Sequence, residues 1–131
     1  MDTYLNIGLQ KSTEPFTAVV DNFLSNITIV IGPRGSGKTR YVKEKFYTEK
    51  TLYLDYTADS RAATAADVTE YANNNPGATI ILDDVTRECV KKIDWDKLKD
   101  TNTWILVGQY EKYFPKWLRN MSRMSRMIRT N

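Results

Sequence analysis

Gly32-Pro33-Arg34-Gly35-Ser36-Gly37-Lys38-Thr39 fills every fixed position of the pattern G-x-x-x-x-G-K-[ST] and adds a third glycine, Gly35, inside it. The β-branched run Ile27-Thr28-Ile29-Val30-Ile31 leads straight into it and reads as a buried parallel strand. Arg40-Tyr41-Val42-Lys43-Glu44-Lys45-Phe46 follows, with Val42 and Phe46 one helical turn apart. Strand, glycine loop and helix stand in the order that gripping a nucleoside triphosphate requires. Glycines let successive N–H groups turn inward around an anion, and a helix N-terminus adds unpaired donors and the positive end of its dipole. Gly32 through Thr39, with Arg40 beside them, are therefore candidate nucleotide ligands. Lys38 reaches the β- and γ-phosphates as a point charge, and the Thr39 hydroxyl is a candidate Mg²⁺ ligand.

Further strands follow the loop. Thr51-Leu52-Tyr53-Leu54-Asp55-Tyr56 reads as the second, Ala78-Thr79-Ile80-Ile81-Leu82 as the third, and Thr103-Trp104-Ile105-Leu106-Val107 as the fourth. An alanine-rich helix is expected from Ser60 through Ala72, capped by Asp59 or Ser60. Asn73-Asn74-Asn75-Pro76-Gly77 is a loop signal, and a short helix is expected through Val90. Strands alternating with helices predict an α/β fold, a mainly parallel sheet with helices on both faces, as in the P-loop NTPase three-layer sandwich. The chain reads as a single domain over residues 1–131. Residues 1–25 form an extension that covers the sheet or contacts a neighbour.

Composition narrows the chemistry. There is no histidine, so acid–base or triad chemistry through imidazole is excluded, and the single cysteine, Cys89, forms no internal disulfide. The start carries no basic and apolar signal-peptide pattern, and no apolar run approaches the ~20 residues of a membrane span. Net charge is +3, unevenly spread: residues 112–131 carry six basic and no acidic side chains. A basic end on a mildly acidic body points to a polyanionic partner or a subunit boundary.

Asp83-Asp84 closes the third strand's apolar run. An acid at that position beside a phosphate loop can hold the Mg²⁺ shell, which makes Asp83 the metal-side candidate. The next acid, Asp84, can orient or deprotonate an attacking water. The same pair would also suit a simple helix cap. Gln109, just past the fourth strand, can donate and accept at once, bridging water and γ-phosphate, or can be an exposed polar residue leaving a strand. With Pro115 in the first helical turn, Lys112, Lys116, Arg119, Arg123 and Arg126 recur every three or four residues. Trp117, Leu118, Met121, Met124 and Ile128 recur opposite them. That spacing predicts a basic amphipathic helix; a strand would be confined to the residues around Met127-Ile128.

This set of residues resembles the HerA–FtsK superfamily of P-loop ATPases, and within it the poxvirus-like viral genome-packaging ATPases. The likeness runs from about Ile27 to Asn120 through the glycine loop, Thr79–Asp84, a strand ending at Gln109, and Lys116-Trp117-Leu118-Arg119-Asn120. It implies ATP and Mg²⁺ as cofactors, with Lys38, Asp84, Gln109 and Arg119 catalytic and Thr39 and Asp83 on the metal. Arg119, or alternatively Arg123, would be an arginine finger offered to a neighbouring subunit. The resemblance further implies a homo-oligomeric ring acting on double-stranded DNA, capsid or portal proteins as partners, and a location in host cytoplasm or virion. The wider superfamily usually has glutamate where Asp84 stands, so this chain departs from the pattern there.

Two other functions fit the loop. A small P-loop kinase would draw its acceptor-side acid from the strand next to the loop's own, making Asp55 important. A nucleotide-dependent switch would use the basic helix to dock on acidic lipid.

Overall fold

The computed structural model describes residues 16–56, 64–85 and 87–130. Among the described residues the strands are β1 (Phe16–Val20), β2 (Ile27–Ile31), β3 (Thr51–Asp55), β4 (Thr79–Asp83), β5 (Thr103–Gly108) and β6 (Arg123–Arg129). The helices are α1 (Lys38–Phe46), α2 (Ala65–Asn74), α3 (Arg87–Lys92), α4 (Trp95–Leu98) and α5 (Lys116–Asn120), with a 3-10 turn at Glu111–Tyr113. The strands make one sheet in the order β1-β6-β2-β5-β4-β3, parallel throughout except for the β1–β6 pair. The fold is α/β with a mostly parallel sheet.

Both faces of the sheet are covered, which explains why its central strands read as unbroken apolar runs. Ile27, Ile29, Ile80, Leu82, Trp104 and Leu106 face one layer, closed by Val68 of α2, Val90 of α3, Leu98 of α4 and Leu118 of α5. Val30, Ile81, Ile105 and Val107 face the other, closed by Val42 of α1. Burying a side chain of this size is worth about 1.5–3 kcal/mol. Trp95 and Trp104 meet edge to face at 4.8 Å in the first layer. Their indole N–H groups donate to the Val90 and Leu98 carbonyls, so neither aromatic buries an unsatisfied donor.

The structure corrects the reading of the C-terminal segment. Residues 112–131 do not form one amphipathic helix: only Lys116–Asn120 is α-helical, and Arg123–Arg129 is a strand. The helix stops at Asn120, and just past it the Ser122 hydroxyl donates to the Leu118 carbonyl at 2.6 Å. β6 then slots between β2 and β1, pairing Ile29 with Met124 on one side and Ala18 with Met127 on the other. Two rows of backbone hydrogen bonds and the burial of Met124 and Met127 outweigh the helical spacing of the apolar residues. Part of the 1–25 extension is also resolved into a role, since Phe16–Val20 is the antiparallel edge strand.

α2 starts at Ala65 behind a capping box in which the Thr64 hydroxyl accepts from the Asp67 N–H and the Asp67 carboxylate accepts from the Thr64 N–H. The expected caps, Asp59 and Ser60, lie outside the described residues. The helix also runs past Ala72 into the Asn-rich stretch, ending at Asn74.

Candidate functional site

β2 delivers the chain to the centre of the sheet, and the glycine loop turns there into α1. A Cβ on Gly32 would stand 2.6 Å from Ser36 Oγ and 2.7 Å from Met127 Cβ, so the loop closes tightly only with glycine at its first position. Gly37 takes a left-handed conformation (φ 84°) and is the N-cap of α1. Unlike α2, α1 has no side-chain cap and no acidic residue in its first turn. Its orphan N–H groups and positive pole are thus left for an external anion.

A cavity of about 630 Å³ opens over this helix end, lined by Arg34, Gly35, Gly37, Lys38, Thr39 and Arg40 from the loop and helix, Lys43 and Glu44 further along α1, and Asp83, Asp84 and Gln109 from β4 and β5. Most of the expected site residues therefore converge on one space. Ser36 does not line it; its side chain is fully buried behind the loop. Gly32 and Pro33 line a separate hollow of about 350 Å³ on the β6 side, shared with Gln109 and Arg126.

Thr39 Oγ1 donates to Asp83 Oδ2 at 2.6 Å, and the Tyr53 hydroxyl donates to the same carboxylate oxygen. Lys38 Nζ donates to the Pro33 carbonyl at 3.1 Å. Burial pushes the Lys38 ammonium below its ordinary pKa; Asp83 and Asp84 oppose that shift and Arg34 adds to it. Burial, the hydrogen bond to Asp83 and the charges of Asp83 and Asp55 raise the Tyr53 pKa, keeping its hydroxyl a donor. Asp84 has a left-handed backbone (φ 58°), unique among the described non-glycine residues. Aspartate tolerates that conformation better than most side chains, and such outliers gather at functional sites.

Thr39 and Asp83 offer a hard-oxygen donor pair. Among the described residues no group of three or more His, Cys, Asp or Glu side chains could hold a metal. Mg²⁺ needs no such cage, because it is usually held by one or two carboxylates together with substrate phosphates and water. The Thr39 hydroxyl spends its proton on Asp83 and keeps its lone pairs, which fits a metal ligand.

A second cavity of about 500 Å³ adjoins the first through Arg34, Asp84 and Gln109, and adds Arg87, Lys112 and Tyr113. Neither Arg119 nor Arg123 lines either space. Arg119 is held inside its own chain: Nε donates to the Phe114 carbonyl at 2.9 Å and Nη1 pairs with Glu111 Oε2 at 3.0 Å. Arg126 pairs with the other oxygen, Glu111 Oε1, at 2.8 Å. Arg123 lies beside Thr28, near the β2 end that is remote from the glycine loop, and its Nε donates to the Phe23 carbonyl. The arginine at the loop end of β6 is Arg126, paired with Ile31 in register.

Asp55 sits at the end of edge strand β3, beside Asp83 in register and separated from β2 by two intervening strands, β5 and β4. Sequence reasoning missed Tyr53, Lys43 and Glu111. Tyr53 had a usable signal: its two-residue spacing from Asp55 puts it on the sheet face that α1 covers. Among the described residues no helix is long and apolar enough to cross a membrane. No family model matches this chain, and no curated protein matches it.

Proposed function

We propose that the chain is a P-loop ATPase that hydrolyses ATP to ADP and phosphate, working as a ring of identical subunits on double-stranded DNA in the manner of viral genome-packaging ATPases. One observation carries the hydrolytic reading: Lys38, Thr39, Asp83, Asp84 and Gln109 surround a single cavity at an uncapped helix N-terminus. The β- and γ-phosphates would lie against the loop N–H groups and Lys38. Asp84 and Gln109 would hold a water in line with the γ-phosphate, Asp84 accepting its proton. Mg²⁺, held by Thr39 and Asp83, would neutralise charge on the phosphate oxygens.

Strand order supports hydrolysis over transfer to an acceptor. The strands next to β2 are β5 and β6, and the acid proposed for a kinase, Asp55, is on neither. The membrane-docking switch loses its main feature, because the basic helix it needs is divided into α5 and β6. The ring and DNA parts of the proposal rest on the family resemblance and on the basic C-terminal segment. Arg119 remains the candidate bridging arginine on that resemblance alone; to reach a neighbour's nucleotide it would have to leave the Phe114 carbonyl and Glu111.

The test is phosphate release from ATP by the wild-type protein, with and without duplex DNA, beside Lys38→Ala. Release without any acceptor, stimulated by DNA and weakened by salt, is the expected result. Release that needs a nucleotide acceptor would overturn the proposal.

A further inference from the structure

Tyr53 stands outside the motifs yet reaches their centre. It lies on β3, the edge strand, opposite Ile81 of β4. Its ring packs against the Val30, Val42, Ile81, Ile105 and Val107 layer, and Lys43 Nζ lies 4.6 Å from its centroid. Ring and cation fix the direction of the phenol. Its hydroxyl then lands on Asp83 Oδ2, the oxygen that also accepts from Thr39.

A carboxylate oxygen has two lone-pair directions, so two hydroxyl donors occupy Oδ2 fully. The carboxylate is thereby locked in rotation, with its second oxygen held in a fixed direction. We infer that Tyr53 is a positioning residue: its hydroxyl orients Asp83, and through Asp83 and Thr39 it sets how tightly the site takes up a divalent cation with nucleotide. The inference rests on the nucleotide-binding reading of the loop. It follows the general behaviour of groups that orient metal ligands, whose loss weakens metal affinity or activity by about 10–100-fold. With Phe at this position, only Thr39 would restrain Asp83.

The experiment is equilibrium binding of a fluorescent ATP analogue, titrated with Mg²⁺ and repeated in chelator, for wild type and Tyr53→Phe. The phenyl ring preserves the packing under Lys43. The Mg²⁺ concentration for half-maximal tightening should rise at least ~10-fold, while binding in chelator and the ligand-free unfolding midpoint stay unchanged. Tyr53→Leu, which also lacks the hydroxyl, should show the same shift if Tyr53→Phe folds poorly. An unchanged Mg²⁺ requirement in a protein that binds ATP would overturn the role of Tyr53 and leave the loop reading intact. Equal weakening in chelator would overturn it too, by showing that the residue shapes the loop. Wild-type protein that binds no ATP under either condition would remove both.

Discussion

Thr39 Oγ1 and Asp83 Oδ2, 44 residues apart in the chain, are joined by a 2.6 Å hydrogen bond between the last residue of the glycine loop and the last residue of β4. That bond joins two sequence motifs in space, and each side chain restricts the other. Thr39→Val and Asp83→Asn should each lower ATP turnover by about 10²-fold or more, on the scale of removing one preorganised electrostatic contact. The double variant should lose little beyond the worse single one, since the two residues share a contact. Steady-state kinetics of the three variants gives the coupling directly. Strict additivity would mean the observed bond has no part in the reaction.

Asp84 offers a clean charge test because of its backbone. Asn tolerates the left-handed region about as well as Asp, so Asp84→Asn should keep the φ of 58° without strain. The unfolding midpoint should stay within the scatter of ordinary surface substitutions, about 0.5 kcal/mol. Turnover should fall by about 10²–10⁴-fold with nucleotide binding retained. Asp55→Asn, on the edge strand, should remain close to wild type. The opposite ranking of the two variants would move the chemistry to a kinase-like acceptor site.

The central part of this architecture was legible because its signals are local. Four apolar runs each read as strands, and three of them end at the cavity: Ile31 runs into the glycine loop, Asp83 lines the space, and Gly108 precedes Gln109, which also lines it. The C-terminal segment misled because its cue was local while its structure is not. Leu118, Met121 and Met124 are spaced for a helix, yet Met124 is buried through pairing with Ile29, far earlier in the chain. Helical spacing carries no information about an open edge waiting beside β2. Tyr53 was hidden for a related reason: only the register of β3 on β4, with Tyr53 opposite Ile81, brings its hydroxyl to Asp83. Arg119 looked available in sequence, whereas Glu111 and the Phe114 carbonyl occupy its guanidinium.

Gly32 should be sensitive for a reason separate from nucleotide contact. Its missing Cβ leaves room for Ser36 Oγ and Met127 Cβ, both closer than 3 Å to where that carbon would stand. Gly32→Ala should cost about 1–3 kcal/mol, as overpacking does elsewhere, and lower the unfolding midpoint without ligand present. Gly35→Ala meets open space, so its cost should come only from the positive φ of 81°, about 1–2 kcal/mol. Relief distinguishes the two: Ser36→Ala, which removes the Oγ that stands nearest, should recover part of the Gly32→Ala loss and none of the Gly35→Ala loss. Equal relief in both backgrounds would show that Ser36 Oγ is not what the Gly32 Cβ meets.

Glu111 ties the turn after Gln109 to the C-terminal strand. One carboxylate oxygen takes Arg126 and the other Arg119, across the 3-10 turn, α5 and β6. The hydrogen bond from Arg126 holds the Glu111 pKa below its ordinary value of 4.5; slight burial opposes this, and the charges of Arg126 and Arg119 add to it. A carboxyl depressed in the folded state stabilises the fold at pH above its unfolded value, and that contribution disappears as pH falls through the folded value. Glu111→Gln should therefore be less stable than wild type at neutral pH and converge with it in acid, below 4.5. The neutral-pH difference should be at most about 1 kcal/mol, since both ion pairs are partly exposed, and it should shrink with added salt. Denaturant midpoints at a series of pH values measure both features. A constant gap from neutral to acid pH would show that Glu111 acts through shape, leaving the two arginines indifferent to its charge.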